Sequence, residues 1–454
     1  MASITEEDVN EVANAFGFAV PAADVGDYKE LLEKTRATLE IISSTEDYQP
    51  RPDLEMDATV VTRILDNGGI IAGKAVCENL SRGAVSCTAA TGPVDNPYAK
   101  GYSAGGSSSG TATLVGSGAV DMGIGCDQGG SVRIPASLCG LYGFKATTGL
   151  VPYTGIASND ASVDYVGPIT TTCMDCAILL EAIAGVDGLD DRQIAGVPFP
   201  GSVPRYSEIL KETKQEGLKG MKIGILKEGV ESPLADPEVK KKFDAAVAGF
   251  EKLGASITEI SIPMHGLGRS IYTVMSKMGN HMGMLGRATG RRQVMLTDLM
   301  AKKGLPYTQD AFEKMNTVSK EGLISAEYGW THYPLAYSKA VNLTRKLKDE
   351  YNAALEQVDL LVMPTTITPS NSLLAVNATP LEHIAASAGK LENTSPFNGT
   401  GHPALAMPIG FVPAKEDSSI KLPASMQIVG KFWDETKILQ AAYAWENSYD
   451  WKTF

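Results

Sequence analysis

Apolar residues recur along this chain in two rhythms. In residues 27–42, Tyr28, Leu31, Leu32, Leu39 and Ile42 fall at the three-, four- and seven-residue intervals of one helix face, which predicts an amphipathic surface helix. The same spacing predicts a helix over residues 57–65, closed by Asn67-Gly68-Gly69, and helices near 236–253, 335–357 and 435–447. Thr170 to Thr172 precede the apolar run Met174 to Gly185 and predict a capped helix there. Short unbroken apolar runs read instead as buried strands: Ile70 to Val76, Met221 to Leu226 and Val358 to Pro364. Strands alternating with helices along the whole chain argue for a layered α/β fold. A polar connector from Ser43 to Glu55, carrying Pro50 and Pro52, separates an N-terminal helical segment (1–55) from the α/β body (56–454).

Composition narrows the partners. A net charge of −13 over 454 residues argues against a protein that binds nucleic acid through phosphate contacts, since these need a basic face. No apolar stretch approaches the roughly 20 residues of a membrane span, and the acidic start from Met1 to Asn14 does not read as a signal peptide. Six cysteines (Cys77, Cys87, Cys126, Cys139, Cys173, Cys176) are too few for a disulfide framework in so long a chain, so a reducing, cytoplasmic setting is the expectation. Cys173-Met-Asp-Cys176 spells a CxxC but has no second pair or nearby histidine, and reads as part of a helix. His265, His281, His332, His383 and His402 are scattered without ligand spacing, so neither metal nor cofactor is expected.

The chemistry concentrates in a glycine-rich region. Gly105-Gly106-Ser107-Ser108-Ser109-Gly110 is followed by Gly125-Cys126-Asp127-Gln128-Gly129-Gly130-Ser131-Val132-Arg133-Ile134-Pro135, and 24 positions separate Ser107 from Ser131. Glycines free of side chains let the backbone approach a substrate closely. Amide hydrolysis needs a nucleophile, a route for its proton, and donors aimed at the oxygen that becomes negative. Ser131 follows two glycines, so the backbone of Gln128, Gly129, Gly130 and Ser131 is free to aim several N–H groups at one point, as an oxyanion hole requires.

This pair of blocks resembles the amidase signature family, whose hydrolases cut carboxamides with a serine, a second serine and a lysine. Ile134-Pro135-Ala136, Cys139-Gly-Leu-Tyr-Gly-Phe-Lys145, Val362-Met-Pro-Thr-Thr366 and Phe397-Asn-Gly-Thr-Gly-His-Pro-Ala-Leu405 follow in family order. Gly149-Leu-Val-Pro-Tyr-Thr-Gly155 is similar to a subgroup acting on small aliphatic and aromatic amides. The resemblance implies an α/β/α sandwich with a mixed central sheet. It makes Ser131 the acyl carrier and Ser107, after a cis peptide, the proton relay, with Asp127 and Arg133 bracing the loop. It further implies a small-molecule amide substrate, no cofactor, and a homodimer.

The family's lysine opens a Lys-Asp-Asn-like motif at the end of an apolar strand, before the helix aligned with Asp57-Ala58-Thr59-Val60-Val61. Here Gln49-Pro-Arg-Pro-Asp-Leu-Glu55 runs directly into Met56-Asp57, so strand, motif and turn are absent, and the sheet should lack strands near its N-terminal side. Lys29, Lys34, Lys74, Lys100 and Lys348 offer no convincing substitute. Losing a general base costs roughly 10²- to 10⁴-fold, so an impaired hydrolase is expected. Two alternatives stand beside it. One is a catalytically dead binding protein of the same fold. The other is an α/β-hydrolase whose G-x-S-x-G centres on Ser108, with Asp359 and His402 following in order. Segment 265–335 holds Tyr272, Met275, Met278, Met282 and Met284, which suit core and pocket equally.

Overall fold

The computed structural model describes residues 3–47, 57–213, 217–287, 290–292, 295, 297–304, 307–375 and 377–454. The chain divides into two compact units, Met1–Met56 and Asp57–Phe454. In the first, the helix Glu6–Ala15 begins with a capping box in which Thr5 and Asp8 satisfy each other's backbone amides. A longer helix, Val25–Ser44, covers the stretch whose spacing predicted one. The end of the connector and its junction with Met56 lie outside the described residues.

The second unit is built on strands β1 (Asp95–Asn96), β2 (Ala99–Ser103), β3 (Met122–Asp127), β4 (Tyr142–Lys145), β5 (Tyr165–Thr170), β6 (Lys222–Leu226), β7 (Ser256–Ile260), β8 (Leu360–Pro364), β9 (Ala404–Pro413) and β10 (Lys421–Gly430). The first two form a small antiparallel hairpin, and the other eight form one sheet in the order β3-β5-β4-β9-β10-β8-β6-β7. The sheet is mixed: β6 runs parallel to β7 and β8, while the remaining pairs are antiparallel.

Both faces of the sheet are covered, which is why its central strands read as unbroken apolar runs. Along β8, Leu360 and Val362 enter the core shared with the helices Cys173–Ile183, Pro237–Lys252 and Glu435–Ser448. Leu361 and Met363 enter the opposite core, against His265–Met284 and Ala336–Leu355. The period of two along a strand sends alternate side chains to the two layers, and an α/β/α sandwich results. No helix among the described residues is long and apolar enough to cross a membrane.

The expected helices form at Thr59–Asp66, Pro237–Lys252, Ala336–Leu355 and Glu435–Ser448. The capped helix runs Cys173–Ile183, with the Thr172 side chain accepting from Asp175 N; Cys173 and Cys176 are buried within it, and all six cysteine sulfurs are unpaired. The expected strand at Ile70 to Val76 does not form. Ile70 is 92% exposed, and among the described residues no strand pairs with the segment. A strand exists only through its ladder, and apolar content alone cannot supply the neighbour.

Candidate active site

The Ser107 loop is fixed from behind by a turn spanning residues 78–88. Glu78 N donates to Ser107 O at 2.9 Å, and Ala104 N donates to Ser86 Oγ at 3.1 Å. Ser86 Oγ also meets Ser103 Oγ at 3.2 Å, and Ser370 Oγ donates to Ser103 O at 2.6 Å. The Gly106–Ser107 peptide is cis. Ser107 ends up 0% exposed, and its hydroxyl makes no hydrogen bond to any protein atom among the described residues. The chain then enters the helix Ser109–Gly116.

The Ser131 loop leaves the end of β3 and runs into the helix Arg133–Leu138. Asp127 organises it: Oδ1 accepts from Gly130 N at 2.6 Å and Oδ2 from Val132 N at 3.2 Å. Arg133 grips the same carboxylate side-on, Nε to Oδ2 and Nη2 to Oδ1, both at 3.0 Å. Its remaining donors reach Thr394 O at 2.9 Å, Gln427 Oε1 at 2.7 Å and Asn398 Oδ1 at 2.7 Å. Asn398 Nδ2 returns to Asp127 Oδ1 at 2.8 Å. Burial by itself would push the Asp127 carboxyl up, but the Arg133 charge and the Arg133 and Asn398 hydrogen bonds outweigh it, holding the group below its ordinary value. A buried ion pair this fully hydrogen-bonded fixes geometry more than it adds stability.

Two glycines in the loop are demanded by their surroundings. A side chain at Gly129 would run into the Tyr272 hydroxyl, and one at Gly130, whose φ is +130°, into Thr394 Oγ1. Thr394 Oγ1 donates to Gly129 O at 2.7 Å and sets that peptide's orientation. Ser131 is 7% exposed. The two serine loops meet directly, because Ser108 N donates to Ser131 O at 3.4 Å.

One expectation needs correction. Gly130 N is consumed by Asp127, so the four-donor oxyanion hole becomes at most three. The amides of Gln128, Gly129 and Ser131 donate to no protein atom among the described residues. Gln128 is held through Nε2, which donates to Tyr153 OH at 3.1 Å.

None of the lysines weighed as substitutes hydrogen-bonds either serine. Lys34 pairs with Glu30 on an exposed helix face, Lys74 and Lys100 are exposed, and Lys348 packs over the Phe432 ring at 3.9 Å. Two others, Lys145 and Lys390, are buried in the body. Lys145 Nζ donates to Ala146 O at 2.9 Å and sits 3.9 Å over the Tyr165 ring; burial first, then the nearby Arg133 charge, hold its pKa well below the ordinary value. Lys390 Nζ donates to Thr368 Oγ1 at 2.9 Å and to the carbonyls of Thr368 and Pro369. Neither bonds to Ser107 or Ser131.

The Ser108 triad is not assembled. Ser108 Oγ exchanges hydrogen bonds with the Cys126 backbone at 3.1 and 3.2 Å. His402 is held by Thr400 and Asn352, both at 3.1 Å, and Asp359 pairs with Lys437 at 2.9 Å. The serine motif there is a by-product of a small-residue turn.

The sequence left Glu78, Thr394, Asn398, Gln427 and Tyr272 without roles. Asn398 and Thr394 lie in or beside the Phe397–Leu405 block that carried part of the resemblance, but nothing local pairs them with residues more than 260 positions earlier. Tyr272 sits at helical spacing among methionines, of which Met275, Met278 and Met284 are buried; its contact with Gly129 exists only in the fold.

The model of the family described as Amidase matches residues 42–439. An enantioselective amidase of Rhodococcus rhodochrous is 33% identical over 402 residues, covering 86% of this chain and 74% of that protein. The A subunit of the glutamyl-tRNA(Gln) amidotransferase of Caldanaerobacter subterraneus subsp. tengcongensis is 32% identical over 395 residues, covering 87% and 76%. The crystal structure of the corresponding A subunit from Thermotoga maritima superposes with a TM-score of 0.68 at 28% identity, covering 87% and 76%. With its mixed sheet and its paired serine loops, the chain belongs to the amidase signature family of amide hydrolases.

Proposed function

We propose that the chain hydrolyses a small carboxamide through an acyl ester on Ser131. Ser131 Oγ attacks the amide carbon, its proton passes to the Ser107 hydroxyl as Ser107 gives its own proton to the amide nitrogen, and the carbonyl oxygen becomes the oxyanion. The amides of Gln128, Gly129 and Ser131 receive that oxygen, each essential donor being worth roughly 3–4 kcal/mol. Collapse of the tetrahedral adduct breaks the C–N bond and frees the amine, and water cleaves the ester, its proton passing back through Ser107 to Ser131 Oγ. Asp127 and Arg133 hold the loop and touch no reacting atom. The observation that supports this most is the Ser108 N to Ser131 O hydrogen bond, which brings the two loops together beside three unengaged amides.

Turnover is low on this proposal, because no lysine among the described residues hydrogen-bonds either serine. The orphaned, fully buried Ser107 hydroxyl is also what favours a second reading, an amide-binding protein that no longer turns over. We place the chain in the cytoplasm, in keeping with its six unpaired cysteines, and as a homodimer on the family resemblance. Relatives that are subunits by name make assembly with other chains the competing arrangement.

A fluorophosphonate probe separates turnover from binding. Mass spectrometry should find the adduct on Ser131, slowed on the order of 10²-fold or more in Ser107→Ala and absent in Ser131→Ala. A chain that stays unlabelled at Ser131 is a binding protein.

A further inference from the structure

The turn that carries Glu78 also carries an arginine, Arg82, that makes no ion pair among the described residues. Leu80 and Ser81 adopt left-handed φ values of 53° and 54°, unusual for side chains of their kind, and deliver Arg82 toward the helix Thr317–His332. The guanidinium lies flat on Gly322, where a Cβ would stand 2.9 Å from both Cζ and Nη1. Nη1 donates to Met284 Sδ at 2.8 Å, and to Asn280 at 3.1 Å in the amide orientation that satisfies both ends of that side chain. Nε and Nη2 donate to no protein atom among the described residues, and no carboxylate there comes within 4 Å of the guanidinium. Glu321 feels the charge, yet it is already bound by Lys277 and by Ser325 Oγ at 2.6 Å. Nε and Nη2 are the two parallel donors with which a guanidinium grips a carboxylate side-on, as Arg133 grips Asp127 in this same chain.

Arg82 is tied to both halves of the catalytic site. Its turn is fastened to the Ser107 loop through Glu78 N and Ser86 Oγ. On the other side its charge acts on Tyr272, whose hydroxyl abuts Gly129 beside Ser131. The guanidinium is half-buried, so its two idle donors stay open to a ligand that completes the fork. No backbone or side-chain acceptor among the described residues does so, and the turn that carries Arg82 holds Ser107 O in the proposed amide pocket.

We propose that Arg82 is an anion subsite of that pocket, seating a carboxylate carried by the substrate, so that the preferred amides bear a second, ionised carboxyl group. The proposal rests on Ser131 as the acyl carrier for the chemistry after binding, but the binding itself does not require turnover.

The test is calorimetric titration of the full chain with succinamate and glutaramate, against the uncharged diamides succinamide and glutaramide as isosteres. At least one charged amide should bind roughly tenfold tighter than its isostere. In Arg82→Gln the two should agree within about twofold, with diamide affinity unchanged, and Arg82→Lys, which keeps the charge and loses the fork, should retain part of the preference. Equal binding by the wild type, a preference that survives Arg82→Gln, or no measurable binding of either charged amide overturns the proposal. A charged preference in a chain whose Ser131 resists the fluorophosphonate would remove the acyl-enzyme reading and leave the anion site standing.

Discussion

The Glu78 carboxyl is enclosed between two glycines. A Cβ on Gly106 would stand 2.8 Å from Oε1, and one on Gly83 would collide with Oε2 outright. Val85 N reaches Oε1 at 3.2 Å, and the Thr88 hydroxyl donates to Oε2. Burial dominates these hydrogen bonds and pushes the carboxyl up to about 7 from 4.5. The folded state therefore binds a proton that the unfolded chain releases between those values. The resulting stabilisation is complete below pH 4.5 and is lost as pH rises through about 7, about 3 kcal/mol in all. Glu78→Gln keeps a neutral side chain at every pH and should lack that fall. In urea denaturation at about pH 5 and about pH 8, the wild type should lose about 3 kcal/mol more than the variant; parallel profiles would refute the assignment. At this scale the sequence shows nucleophiles better than supports. Ser107, Ser131, Asp127 and Arg133 stand in ordered glycine-rich blocks. Glu78 sits in an unremarkable Cys-Glu-Asn, and only the fold puts its amide on Ser107 O.

Elements were legible where local chemistry decides them and illegible where a neighbour does. The helix Thr59–Asp66 follows from its spacing, and Asn67-Gly68-Gly69 closes it, with Gly69 N returning to Ile64 O at 2.8 Å. What no local pattern shows is its task. Arg63 Nη1 donates to the carbonyls of Ile183, Ala184 and Gly185 at 2.8, 2.8 and 2.9 Å, and Nη2 to Val186 O at 2.9 Å. One side chain thus satisfies the last carbonyl of the helix Cys173–Ile183 and the three carbonyls that follow it, and its charge matches the helix dipole. Arg63→Met keeps much of the stem's packing and removes the donors, so it should cost about 2–4 kcal/mol by chemical denaturation. Fluorophosphonate labelling of Ser131 in the folded variant should stay at the wild-type rate; a matching loss of labelling would mean that the helix reaches the site. The segment Ile70 to Val76 is the converse case. Its composition suits a strand, but its ladder depends on sequence elsewhere, and it stays extended without one.

At the scale of the whole molecule, a continuous eight-stranded sheet coexists with a proposed serine relay that no lysine among the described residues joins. Eight strands pair without interruption, and Asp127, Arg133, Asn398 and Gln427 close a network joining β3 to β10 and to the segment between β8 and β9. This sheet and its network are complete without the Lys-Asp-Asn segment that the resemblance places before Met56. The proposed relay is not. A serine hydroxyl beside another hydroxyl has nowhere favourable to send its proton, whereas a buried amine with a lowered pKa accepts it. Ser107 marks the place: its hydroxyl is fully buried with no hydrogen-bond partner among the described residues, a state that costs roughly 1–3 kcal/mol. A chain carrying the lysine segment of an amidase relative between Glu55 and Met56 should gain stability from that contact. Its turnover of a simple carboxamide should rise about 10²- to 10⁴-fold in an ammonia-release assay. The same insert with its lysine changed to methionine separates the two effects, restoring any strand contacts but not the base. Equal turnover from the lysine and methionine inserts would show that the lysine is not where the proton from Ser131 ends.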